Sequence, residues 1–211
     1  LFFPEEGQGM TEVVDFFYGP GRRYSYLASI QIARIERDTG ASFRWLPFQS
    51  SRLITHDGRD PFAGEPLSGQ YDWDFRRRDA EAWAAFYGVA FRDPIGRLKY
   101  DYSDVALAAL VAGRQDAVVS MSHRLFRLIF VDDRLVLARD DVLAEARAAG
   151  LDMVQFEADL YDDKRVEEHE AIVEEAARRG AFGVPTFCVG EHMFWGNDRL
   201  PLLEAALRGT I

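Results

Sequence analysis

The stretch YGPGRRYSYLAS, residues 18–29, holds the most unusual grouping of reactive side chains in the chain. An apolar run, Val13-Val14-Asp15-Phe16-Phe17-Tyr18, stops at Gly19-Pro20-Gly21, and a helical pattern begins near Tyr24. Arg22 and Arg23 stand between the two. A helix N-terminus carries about half a positive charge, so each cation placed there is unfavourable by roughly 0.3–1 kcal/mol. Two arginines at that position point to an anion nearby, because a guanidinium is a planar fork of donors suited to a carboxylate. Tyr24, Ser25 and Tyr26 supply hydroxyls beside them, with Ser25 read as structural.

Three further stretches carry possible chemistry. In GAFGVPTF, Val184-Pro185 opens a strand pattern; proline cannot donate to a ladder and belongs at edges or strand starts. It is read either as a cis peptide beside a ligand or as an ordinary trans proline. In MFWGNDRLPLLEAAL, Asn197 or Asp198 can cap a final helix, with Pro201 in its first turn, and Trp195 precedes a glycine. Main-chain donors at such a helix start can also grip a ligand's charged end. The segment SSRLITHDGRDPFAGEP, residues 50–66, holds His56, Asp57, Arg59 and Asp60 in a loop composition. The four histidines, 56, 123, 169 and 192, are far apart, and no metal-ligand spacing recurs. His169, in VEEHEAIVEE, is expected on a solvated helix face. The single Cys188 excludes an internal disulfide and a CxxC redox pair.

These residues need elements to position them. Val13 to Tyr18 and Phe43 to Phe48 read as strands around a helix whose stripe is Tyr24, Leu27, Ala28, Ile32 and Ile35, ended by Gly40. After a loop over 49–70, helical patterns cover Asp74–Tyr87, Ser103–Ala112, Ala117–Phe130, Asp141–Ala148, Met153–Leu160 and Lys164–Arg179. Ser103 and Asp140 are the expected N-caps. Thr186–Val189 and His192–Trp195 flank Gly190-Glu191 as a hairpin, and Leu200, Leu203 and Leu207 stripe a last helix. The order β-α-β, helices, β-β-α predicts an α/β, thioredoxin-like fold with a large all-helical insertion. Residues 13–48 and 181–211 form the thioredoxin-like domain, 49–180 the linker and insertion, and 1–12 an N-terminal extension with Met10 as a candidate start. The insertion's aromatic residues, Tyr71, Trp73, Phe75, Trp83, Phe86, Tyr87 and Phe91, are expected mostly in the core, a few lining an apolar pocket.

Composition narrows the classes. A net charge of -10 argues against a nucleic-acid surface, and no run of 18 apolar residues exists to span a membrane. With 48% hydrophobic residues the chain can bury a real core. Cysteine usage and the lack of a signal-like N-terminus lead to the expectation of a cytoplasmic protein.

Together, SYLA after the first strand, GVPTF, FWGNDRLPLLEAAL and YDWDFRRRDAEAWAAFYGVAF resemble the 2-hydroxychromene-2-carboxylate isomerases, relatives of kappa-class glutathione transferases and DsbA-like thioredoxin folds. The resemblance runs from about Val13 to Leu207. It implies a glutathione-dependent isomerase or transferase, forming a homodimer, that acts on an aromatic or unsaturated carboxylate. It implies that glutathione pairs with the backbone of Val184 before a cis Pro185. Asn197-Asp198 would hold the γ-glutamyl end, and Trp195 would line the site. The family's catalytic serine, in a Ser-Pro-x-Ser-Tyr pattern, is replaced here by Arg22, and its proline by Arg23. A lysine of some members corresponds to Ser68. Arg22 then either favours the thiolate as neighbouring cations do, binds the substrate carboxylate, or is merely solvated. Arg23, Tyr24 and Arg59 are the candidate substrate contacts. The competing readings are an enzyme of this scaffold that has dropped glutathione, and a non-catalytic binding protein.

Overall fold

The computed structural model describes residues 11–53, 73–94 and 102–211. Strand β1 (Val13–Tyr18) is buried at five of its six positions. Side chains alternate across a strand, so Val14, Phe16 and Tyr18 enter one core cluster and Phe17 a second on the opposite face. A strand apolar on both faces belongs inside a covered sheet, and β1 lies inside the order β2-β1-β3-β4. Strand β2 (Ser42–Pro47) runs parallel to β1, with Val13 opposite Ser42. Strand β3 (Thr186–Val189) runs antiparallel to it, with Phe16 opposite Phe187, and β4 (His192–Trp195) completes a hairpin on β3. The one acid in β1, Asp15, is held by Arg44 Nε at 2.7 Å.

Helix α1 (Arg23–Thr39) connects β1 to β2, burying Tyr26, Leu27, Ile32 and Ile35, and ends where Gly40 takes φ 74°. Between β2 and β3 the described elements are helical: α2 (Trp73–Tyr87), α3 (Tyr102–Ala112), α4 (Val118–Phe130), α5 (Arg139–Ala148), α6 (Met153–Tyr161) and α7 (Lys164–Arg178). A 3-10 turn over Asn197–Arg199 then leads into α8 (Leu200–Leu207). The fold is thioredoxin-like: a mixed sheet built from both ends of the chain, with a helical insertion between. Helix α3 is apolar around most of its surface and sits in the core, with Val105, Ala108, Ala109, Val111 and Ala112 buried.

Side-chain contacts join the insertion to the sheet and α1, four of them near the end of β1 and the start of α1. The Tyr18 hydroxyl lies 2.5 Å from Ser122 Oγ on α4. The Tyr26 hydroxyl donates to the Ala90 carbonyl at 2.9 Å, and Tyr24 donates to Asp79 Oδ2 at 2.7 Å. The fourth is an ion pair, Arg23 to Asp93, at 2.7 Å. Among the described residues no helix is long and apolar enough to cross a membrane.

The structure corrects several sequence expectations. His169 is not on a solvated face but only 5% exposed: α7 turns Ile172, Val173 and Ala176 inward, and the same face carries His169. Tyr71 and the Trp73 side chain lie outside the described residues, and the other five of the aromatics named for the insertion are not mostly core. Phe86 is 79% and Phe75 42% exposed, while Trp83, Tyr87 and Phe91 are half-buried against the core rim. The buried face of α2 is formed instead by Ala80 and Ala84, whose size brings the helix close to its neighbours. Asp140 lies in the first turn of α5 rather than capping it; the boundary residue is Ala138, whose N–H donates to Asp141 Oδ2 at 2.9 Å. Likewise α3 begins at Tyr102, placing Ser103 inside the helix.

Candidate functional site

The turn Gly19-Pro20-Gly21 delivers Arg22 to the N-terminus of α1. A Cβ on Gly19 would stand 2.7 Å from Arg22 Cγ, so the absence of a side chain there lets the arginine stem fold back over the turn. Ser25 is fully buried and its Oγ accepts the Gly19 N–H at 3.3 Å, which is a structural role. Arg22 is half-buried, and its Nε–H donates to Ser50 Oγ at 3.1 Å. No acidic side chain occupies the first turn of α1, and no side chain caps it.

Arg23 takes a different path. Its guanidinium meets Asp93 at side-chain exposures of 5% and 2%. Burial pulls the Arg23 pKa below the usual arginine value, and Asp93 opposes that. A buried charge that kept no partner would be strongly destabilising, so this pair is a structural tie between α1 and the segment after α2.

On the other side, Val184-Pro185 is a cis peptide. Trp195, at the end of β4, is half-buried and packs on Phe182, with ring centroids 4.8 Å apart. Gly196 follows with φ 108°, and a Cβ there would collide with the Asp198 carboxylate, so the turn into Asn197–Arg199 needs glycine. Asn197 and Asp198 do not cap α8 as expected. They form the 3-10 turn before it, with no side-chain cap bond. Asn197 is 3% exposed beside Tyr87, whose hydroxyl pKa is pushed up by burial and pulled down by Asn197. Asp198 is half-exposed and pairs with Arg199 at 3.1 Å.

All of these surfaces meet in one cavity of about 590 Å³. It brings together Arg22, Arg23, Tyr24, Val184, Pro185, Trp195, Asn197 and Asp198, eight of the nine residues singled out in the sequence as candidate contacts. Arg59 and Ser68 lie outside the described residues. The volume suits a small organic ligand. A further wall comes from α2, where Phe75, Asp79 and Trp83 recur every four residues and so share a face, with Arg76 alongside.

Arg76, Asp79, Ser50, Ser51 and Phe182 are lining residues the sequence reading missed. The four-residue recurrence through Phe75 and Trp83 was the available signal for Asp79; the serines carry none. Among the described residues no group of three or more His, Cys, Asp or Glu side chains is placed to hold a metal ion. Cys188 is buried in β3, where desolvation pushes its thiol pKa up, and it does not line the cavity. Chemically, the cavity offers cations at one helix start, a polar turn with buried Asn197, and aromatic walls. That arrangement can hold an anionic ligand with an apolar, conjugated portion.

Comparison with known proteins agrees in fold and length. A 2-hydroxychromene-2-carboxylate isomerase of Sphingobium xenophagum is 26% identical over 198 residues, covering 94% of this chain and 99% of that protein. One from Pseudomonas putida is 24% identical over 195 residues, covering 92% and 94%. A solved structure of a 2-hydroxychromene-2-carboxylate isomerase superposes with a TM-score of 0.78 at 24% identity, covering 93% of this chain and 95% of that one. The family model for the DSBA-like thioredoxin domain matches residues 13–208, and with the sheet order, the cis Pro185 and the helical insertion already described, the chain belongs to that family.

Proposed function

We propose that this protein is a glutathione-dependent isomerase, similar to the 2-hydroxychromene-2-carboxylate isomerases, acting on an aromatic or otherwise unsaturated carboxylate. One observation carries the reading. Arg22, Pro185, Trp195 and Asn197-Asp198, distant in sequence, line one cavity together with the aromatic face of α2. The curated relatives that match nearly the whole chain carry that isomerase name. The cavity also fits the cofactor in kind: it has room for a small peptide, a half-buried guanidinium at a helix start, and a buried side-chain amide at the opposite turn.

When bound, glutathione supplies a thiolate that adds reversibly to an unsaturated carbon and leaves again, so a bond turns with no net change in composition. Val184 offers the main-chain groups for its peptide backbone, and Asn197 with Asp198 the polar end for its γ-glutamyl group. Trp195 walls the site. Arg22 takes the place of the missing serine: its fixed charge favours an ionised thiol, and its donor fork also suits the substrate carboxylate. Tyr24 and Arg23 border the substrate side, with Arg23 acting through its tie to Asp93, and Arg59 is proposed to join them. Phe75 and Trp83 pack against the conjugated portion of the substrate. A homodimer in the cytoplasm completes the proposal.

The test is turnover of an aryl-substituted unsaturated keto acid, followed by its ultraviolet absorbance with and without glutathione. Isomerisation that requires glutathione supports the reading. Turnover at the same rate without it favours an enzyme that has dropped the cofactor, for which the Ser-to-Arg change at position 22 is the specific argument.

A further inference from the structure

His169 is a buried titratable group that reaches the wall of the cavity from behind. It projects from α7, is 5% exposed, and its Nε2 accepts the main-chain N–H of Gln49 at 3.0 Å. The next two residues, Ser50 and Ser51, line the cavity, and Ser50 Oγ accepts the Nε–H of Arg22. A continuous path therefore runs from α7 through the segment 49–51 to the guanidinium at the head of α1.

The bond fixes the protonation state. Nε2 can accept only if it carries no proton, so the imidazole is the neutral Nδ1–H tautomer. Among the described residues, the charged groups acting on it are Glu170 on its own helix and Arg52 from the segment it holds. Glu170 Oε1 stands 3.6 Å from Nδ1, and the same carboxylate pairs with Arg52 at 2.7 Å.

We propose that His169 is a positioning residue for the cavity: neutral, it latches the segment 49–51 against α7 so that Ser50 braces Arg22; protonated, it becomes a donor facing a donor and releases that segment. Gaining a proton turns Nε2 from acceptor to N–H, so the half-buried Gln49 N–H loses it as an acceptor. The step needs only a solvent proton. Burial, the largest influence, pulls the His169 pKa below 6.5, with Glu170 opposing and Arg52 reinforcing. The latch thus holds at neutral pH and opens in mild acid. It concerns the cavity wall and stands whichever ligand the cavity takes.

The experiment is a pH titration of the ligand-free full chain by NMR, observing the His169 imidazole, the Gln49 and Ser50 amides and the Arg22 Nε–H. The latch predicts that all four shift together with one midpoint below about 6.5, the ordinary histidine value. In His169→Gln the side-chain carbonyl accepts the same N–H without titrating, so the Gln49, Ser50 and Arg22 signals should stop responding in that range. Two results would overturn the proposal: an Arg22 signal that does not follow the His169 midpoint in the wild-type chain, or an unchanged pH response in His169→Gln. The wild-type titration decides even if the variant fails to fold. Titration of glutathione above and below the midpoint is a separate arm. Absence of binding at either pH would count against the proposed function and leave the latch to be judged by the spectra.

Discussion

Arg22 and Arg23 show how little a side chain's type says about its role. They are adjacent, carry the same charge and sit at the same helix start. Yet Arg22 is half-buried and bonded to Ser50, while Arg23 is buried against Asp93. The sequence shows the anomaly of two cations at a helix N-terminus; it cannot show which one meets Asp93, because that partner arrives through tertiary packing of the insertion. The burial of His169 has a related cause. Its neighbours Glu167, Glu168 and Glu170 suggest a solvated face, but the inward stripe that includes Ile172, Val173 and Ala176 decides its burial. For Arg23, replacement by Met strands the Asp93 carboxylate and is expected to cost about 3–5 kcal/mol in urea unfolding. The double change Arg23→Met with Asp93→Leu should recover most of that, and additive losses would contradict the structural role. For Arg22, exchange to Ser should preserve glutathione-dependent turnover, whereas loss of all turnover would mean the chemistry depends on the guanidinium itself.

At the scale of elements, periodicity made most of the fold readable. The switch from a two-sided apolar run to helical spacing and back placed the strands and helices within a residue or two of where they lie, apart from the start of α8, where a 3-10 turn comes first. The failures have a common cause. Helix α2 looked like a core helix because it is rich in aromatics, but its buried contacts are made by Ala80 and Ala84. Its rings are left to the rim and to the cavity. Small residues on a helix seam carry little hydrophobic signal, although they govern how closely helices approach. The join between β1 and α4 gives a direct test. Ser122 Oγ donates to the Val118 carbonyl at 2.6 Å and so can accept from Tyr18. Tyr18→Phe removes that one hydrogen bond while keeping the ring, and should lower unfolding free energy by about 0.5–1.5 kcal/mol. No measurable loss would mean that ring packing with Phe126 of α4 alone holds the strand to the insertion.

The molecule as a whole couples its stability to pH through its interior. His123 and His169 are both held below the usual histidine range by burial, so the unfolded chain binds protons more readily than the folded one. Their contribution is therefore complete above about pH 6.5 and declines as pH falls through the lower folded-state values. The thermal midpoint should drop from neutral to mildly acidic pH, and His169→Gln should flatten part of that fall; an unchanged slope in the variant would assign the effect elsewhere. The site, in contrast, belongs to no single element. The motifs at 184–185 and 195–198 were legible because local turn chemistry marks them. The wall from α2 and the brace at Ser50 exist only once the insertion has folded over α1. Calorimetric titration of glutathione into the wild-type chain and into Arg22→Ala tests the proposed site most directly. Saturable binding to the wild type, weakened in the variant by about 1.5–3 kcal/mol as expected for a lost hydrogen bond to a charged group, is the predicted result. Equal affinity for both chains, or no binding to the wild type, would contradict it.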